Sequence, residues 1–155
     1  MSAIPWLLNT AWMLKCGREA AAFGRACRRV ADTQRRLLLH ILSRNRDSEF
    51  GRAHGFADIR DVRAYQERVP LASYDNFFEL IQRIAAGQKK VLTCEPVQLL
   101  EPTSGSTGGE KLIPYTSELR RQFQRGLAAW IHDLFQGRPG IRAGRAYWSI
   151  SPACG

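Results

Sequence analysis

The chain has 155 residues, the length of one ordinary domain, and its 45% apolar and 24% charged residues exclude bulk disorder and allow a sizeable core. Lysine and arginine total 23 against 14 acids, giving a net charge of +9 and a pI near 10.0. That excess suits a phosphorylated ligand, an anionic membrane or nucleic acid, or else belongs to one part of a larger, more acidic protein.

The chain opens on an apolar stretch, Ala3 to Leu14, with no basic residue before it and with Asn9 and Thr10 inside it. It is too short to span a bilayer and makes a poor signal peptide, so it reads as a first helix or docking segment, and no transmembrane segment is expected. Residues 17–44 read as one long helix. Phe23, Cys27, Val30, Leu37, Leu38, Ile41 and Leu42 recur at steps of three and four, while Arg18, Arg25, Arg28, Arg29, Arg35 and Arg36 fall largely off that stripe. The arginines read as a solvated face, because no aromatic residues alternate with them as they would on a single-stranded nucleic-acid platform.

A polar turn region follows, with Gly51 and Gly55. A short helix is expected from Asp61 to Arg68, ended by Val69-Pro70, since the residue before proline avoids helical angles. Another should start at Ser73 or Asp75 and end near Gly87. Residues 90–94 and 97–101 read as short strands around a Glu95-Pro96 turn. Residues 111–115 read as a third strand, which must end or lie at an edge because Pro114 lacks a backbone donor. Thr116 is placed to cap a helix over 117–136, with Leu119, Phe123, Leu127, Trp130, Ile131 and Leu134 as its apolar face and Gly137 and Pro139 as its stop. Residues 146–151 read as a buried strand. His132, Trp130 and Trp148 read as structural, and Asp75 and Glu79 as capping or solvated acids.

Cys16, Cys27, Cys94 and Cys154 lie far apart, and with only His40, His54 and His132 besides they offer no zinc-ligand spacing. Isolated thiols in a reducing cytoplasm are expected. The element order predicts an α/β fold, with α+β as the alternative: a mainly helical segment over 1–88, then strand, glycine-rich loop, strand, helix and strand over 89–155.

The chemistry-bearing feature is the run Thr103, Ser104, Gly105, Ser106, Thr107, Gly108, Gly109, closed by Glu110 and Lys111. Glycines and small hydroxyl residues let backbone N–H groups converge on an anion, and a lysine at the far end adds positive charge. Together these suit a polyphosphate. The run is not a Walker A motif, because Glu110 precedes Lys111 and Leu112 follows it, and no Rossmann glycine fingerprint can be drawn through it. A surface hairpin that binds nothing stays open on composition alone.

The stretch "PTSGSTGGEKLIPYT" resembles the phosphate-binding loop of adenylate-forming enzymes, and Glu110, where many of them carry proline, agrees better with the auxin-responsive acyl acid–amido synthetases. "NRDSEFGRAHGF" and "VPLASYDNFFELIQRIAAGQKKVLTCEPVQLLEPTSGST" are similar to landmarks of that family in the same order, so the resemblance covers about residues 40–151. It implies ATP and Mg2+ as cofactors, a carboxylic acid activated as its acyl-adenylate, and an amine, an amino acid in most members, as acceptor. By the family's pattern Thr103, Ser104, Ser106, Thr107 and Lys111 contact the phosphates, and Gly105, Gly108 and Gly109 let the backbone approach. It also implies that the chain is the N-terminal portion of one adenylating domain, incomplete at its C-terminus, with the adenine, ribose and most acyl contacts beyond Gly155. Such a portion is expected to be inactive alone. Two readings compete: a basic module that binds an anionic membrane or nucleic acid, and a nucleotide-binding remnant without turnover.

Overall fold

A computed structural model describes residues 3–103, 111–145 and 147. The chain divides into two compact units, one made of the N-terminal segment through Val30 with the segment from Arg121 onward, the other of Ala31–Arg120.

In the first unit, α1 runs over Ala3–Cys27 and the greater part of α6 (Ser117–Gly137) packs on it. Cys16, Ile131 and Phe135 are buried at the centre, with Trp12, Met13, Leu127 and Ala128 around them. Trp12 meets Phe135 edge to face at 6.0 Å. Polar contacts fix the register. His132 donates from Nδ1 to the Met13 carbonyl at 3.0 Å, and Arg125 pairs with Glu19 at 2.9 Å. The Asn9 amide donates to the carbonyls of Arg142 and Gly144, which tie down the 3-10 turn Pro139–Ala143.

In the second unit, α2 (Val30–Asn45) brings Leu38, Leu39 and Leu42 onto Phe56, Ile59, Phe50, Ala64, Tyr65 and Val69. α3 (Glu49–Ala53), α4 (Val62–Arg68) and α5 (Phe78–Ala85) are short, and each start has a visible cause. Ser48 and Asp61 cap α3 and α4 through their side chains, and Ser73 shares a reciprocal cap with Asn76 before the 3-10 turn Tyr74–Phe77 that leads into α5. Gly87, at φ +87°, takes the left-handed residue that ends α5. Glu49 and Arg83 then clamp α3 to α5 through both carboxylate oxygens, one of them at 2.9 Å from Nη1.

The single helix expected over 17–44 is two helices. α1 closes with tight bonds from Arg28 N to Arg25 O (3.2 Å) and Arg29 N to Ala26 O (3.0 Å), and α2 begins afresh at Val30. Arg25 in the last turn of α1 and Asp32 in the first turn of α2 each match the dipole of their own helix end. The expected stripe divides accordingly. Leu42 is buried, but Phe23, Cys27 and Val30 are exposed.

Residues 90–94 do not form a strand either. Their backbone is spent on α3: Lys90 O and Val91 O accept from Glu49 N (2.7 Å) and Phe50 N (3.0 Å). Lys90 turns the chain with φ +57°, while Val91 is 1% exposed. With Ser48 Oγ on Gly51 N at 2.9 Å, three N–H groups at the start of α3 find acceptors without solvent. Of the strand expected over 146–151, only Tyr147 is described, and it is exposed and outside any element.

The strand pair and the cap of the last helix agree with expectation, whereas Phe123 and Trp130, expected on the apolar face of that helix, are exposed. β1 (Val97–Thr103) and β2 (Lys111–Thr116) form an antiparallel pair. Opposite residues are Leu100 and Pro114, Pro102 and Leu112, Thr103 and Lys111. Leu112 N donates outward, to the Tyr74 hydroxyl at 2.8 Å, so positions 100, 102, 112 and 114 turn their N–H sites away from the partner strand. Both prolines stand where their missing donor breaks no ladder bond, as expected for Pro114 at an edge. Thr116 caps α6, its Oγ1 accepting from Leu119 N at 3.2 Å.

Candidate functional site

The two strands fix the ends of the small-residue run. Because Thr103 and Lys111 are directly opposite in the last rung, the seven residues 104–110 leave and return at neighbouring points. Ser104, Gly105, Ser106, Thr107, Gly108 and Gly109 lie outside the described residues. Of the eight residues expected at the site, the structure therefore brings together Thr103 and Lys111, side by side on one exposed sheet face.

Lys111 is exposed but has a neighbour. Its ammonium lies 5.6 Å from the centre of the Tyr74 ring, within cation–π range, while the hydroxyl of that ring accepts from Leu112 N. Tyr74 comes from the 3-10 turn before α5, 37 positions earlier in the chain, and no local sequence signal pointed to it.

The N-terminus of α6 lies a few residues past Lys111, but its donors are occupied. Glu118 N donates to Glu95 Oε2 at 3.2 Å and Leu119 N to Thr116 Oγ1, while Glu95 also pairs with Arg44. Two N–H groups at this helix end thus already have acceptors within the chain. Two other concave surfaces are mainly apolar, while a third, of about 290 Å³, is bordered by Lys89, Lys90 and Glu95. One of about 480 Å³ in the second unit is lined by Phe50, His54, Phe77 and Leu80, and one of about 700 Å³ in the first by Phe23, Ala129 and Trp130. Trp130 is 52% exposed, not the core residue expected, because α6 buries Ile131 and Phe135 instead; Trp148 lies outside the described residues. His132 is structural, as expected. Asp75 and Glu79 stand at the surface.

Two titrating groups in the second unit are perturbed, away from the hairpin. Hydrogen bonding to Arg83 holds the Glu49 carboxyl below its ordinary value and raises Arg83 in turn. In the first unit, burial pushes the Cys16 thiol up. None of these is a poised acid, base or nucleophile.

The fold has a counterpart. The structure of the AtGH3.15 acyl acid amido synthetase in complex with 2,4-DB matches with a TM-score of 0.64 at 30% identity, over 70% of this chain and 19% of that one. A helical N-terminal layer leading into such a hairpin is the N-terminal part of the α/β adenylate-forming fold. The GH3 family N-terminal domain matches residues 19–153, and the chain belongs to that family. Indole-3-acetic acid-amido synthetase GH3.6 of Arabidopsis thaliana is 35% identical over 123 residues, covering 77% of this chain and 20% of that protein. Probable indole-3-acetic acid-amido synthetase GH3.12 of Oryza sativa subsp. japonica is 37% identical over 103 residues, covering 65% and 17%. The chain thus spans about a fifth of the length of these relatives.

Proposed function

We propose that the chain contributes the ATP phosphate-binding wall of an acyl acid–amido synthetase, an enzyme that activates a carboxylic acid with ATP and transfers the acyl group to an amine, an amino acid in particular. The observation that carries this reading is the register of β1 and β2, which pins both ends of the small-residue loop and sets Lys111 at its mouth. The lysine adds the charge that a departing pyrophosphate needs. Relatives bearing amido synthetase names support the reaction class.

Thr103 and Lys111 present donors and no carboxylate, which fits polyphosphate oxygens. Ser104, Ser106 and Thr107 would add hydroxyls, and Gly105, Gly108 and Gly109 close backbone approach. Magnesium belongs with the nucleotide in this reading. Among the described residues no three His, Cys, Asp or Glu side chains gather around a metal, so phosphate oxygens and water would supply its ligands. Among the described residues no helix is long and apolar enough to cross a membrane. The free thiols of Cys16, Cys27 and Cys94 support a reducing compartment, the cytoplasm.

The test is calorimetric titration of the chain with Mg·ATP, before and after Ser106→Ala with Lys111→Ala. The paired substitution should weaken binding at least tenfold, the loss of about 1.4 kcal/mol or more. Unchanged affinity would remove the loop from the site. Binding that collapses with salt and ignores both substitutions would favour the basic-module reading instead.

A further inference from the structure

We infer that Tyr74 is a positioning residue for Lys111, fixing the direction of its ammonium at the mouth of the phosphate loop; this rests on the loop reading above. Two contacts converge on the one side chain. The Tyr74 hydroxyl accepts from Leu112 N at 2.8 Å, which fixes the backbone next to Lys111, and the ring faces Lys111 Nζ at 5.6 Å. A lysine at the first residue of a strand, beside a glycine-rich loop, would otherwise sample most of its rotamers. That freedom is large for a four-carbon stem and is lost when the ammonium grips a phosphate. Holding the stem over a ring before the ligand arrives removes part of that loss, which is preorganisation.

The placement of Tyr74 is itself determined. Ser73 and Asn76 cap the 3-10 turn reciprocally, with Ser73 N on Asn76 Oδ1 at 2.8 Å and Ser73 Oγ on it at 3.1 Å. Phe77, in the same turn, packs on Phe50 with ring centres 5.6 Å apart. The turn is thereby held to α3, and Tyr74 is half-buried where it meets β2. The hydroxyl takes the outward Leu112 N–H of an edge strand while the ring meets Lys111, so the same residue touches both the main chain beside position 111 and its side chain.

The experiment separates ring from hydroxyl and position from affinity. Tyr74→Phe keeps the ring and Tyr74→Leu removes it; each is prepared in the whole chain with 13C-labelled lysine. Ring current should move the Lys111 ε-methylene protons upfield in the wild type and in Tyr74→Phe, and the shift should vanish in Tyr74→Leu. Tripolyphosphate should bind about fivefold more weakly to Tyr74→Leu, with most of the affinity restored in Tyr74→Phe, which a merely structural role would not produce. A Lys111 signal that is the same in Tyr74→Leu overturns the inference. So does a lost ring-current shift with equal or tighter tripolyphosphate binding. If the wild type shows the ring-current shift but binds no tripolyphosphate, the loop reading fails and the proposed role falls with it, although the contact stands. Lys89 and Lys90, in the same second unit, report whether Tyr74→Leu has kept its fold.

Discussion

Ser48→Ala is the most direct test of how the second unit is held together. Ser48 is 0% exposed, donates through Oγ to Asn45 O at 2.7 Å and accepts from Gly51 N at 2.9 Å. Removing the hydroxyl leaves the Asn45 carbonyl with its bond from Ser48 N at 3.0 Å, so the acceptor survives. The Gly51 donor does not. The backbone passes so close here that a β-carbon at position 51 would clash with the Asn45 carbonyl oxygen, which leaves little room for a replacement acceptor. Loss of an N-cap costs about 1 kcal/mol, and leaving a buried N–H unpaired costs roughly 1–3. The two describe the same event and do not add, so the expected loss is about 2 kcal/mol. Urea unfolding followed by far-ultraviolet circular dichroism should show a lower midpoint with an unchanged slope. A loss under about 0.5 kcal/mol would mean that water replaces the hydroxyl, and that the start of α3 is not sealed as described.

Other substitutions separate the two expectations for the long stripe. Leu42→Ala, at 2% exposure, should cost about 2–5 kcal/mol, while Phe23→Ala, at 63% exposure, should stay within about 0.5 kcal/mol. Comparable losses by urea titration would restore a continuous buried helix. The ion pair gives a pH dependence with a definite sign. The Arg83 hydrogen bond holds Glu49 below its ordinary value of 4.5, so the unfolded chain takes up this proton first. The stabilisation is complete above about pH 4.5 and is lost as pH falls through the lower folded value. Glu49→Gln should flatten the stability profile in that acid range, and an unchanged profile would mean the pair contributes nothing. Thiol reactivity should follow burial. Iodoacetamide at pH 8 should label exposed Cys27 well before buried Cys16, whose thiol is shifted up, and peptide mass mapping reads the order.

What the sequence made legible was the part governed by local rules. The caps at Ser73 and Thr116, the glycine stop at Gly87 and the edge position of Pro114 each follow from a residue's own backbone chemistry. What failed depended on partners distant in the chain. "KVLTC" has the composition of a strand, but its carbonyls answer donors in α3 some forty residues earlier. The 17–44 periodicity crosses a break that only opposed end charges betray. Tyr74 was hidden for the same reason: its value lies in Lys111 and Leu112, which no spacing rule connects to it. For the small-residue loop, the structure adds to the sequence pattern only that Thr103 and Lys111 face each other across the two strands.

Amide chemical-shift mapping of the 15N-labelled chain with Mg·ATP, Mg·pyrophosphate and adenosine tests the phosphate grip most directly. If the loop holds the phosphates, ATP and pyrophosphate shift the same amides, centred on Thr103 to Lys111, and adenosine shifts none of them. Perturbations centred elsewhere, or a response to adenosine alone, would contradict it.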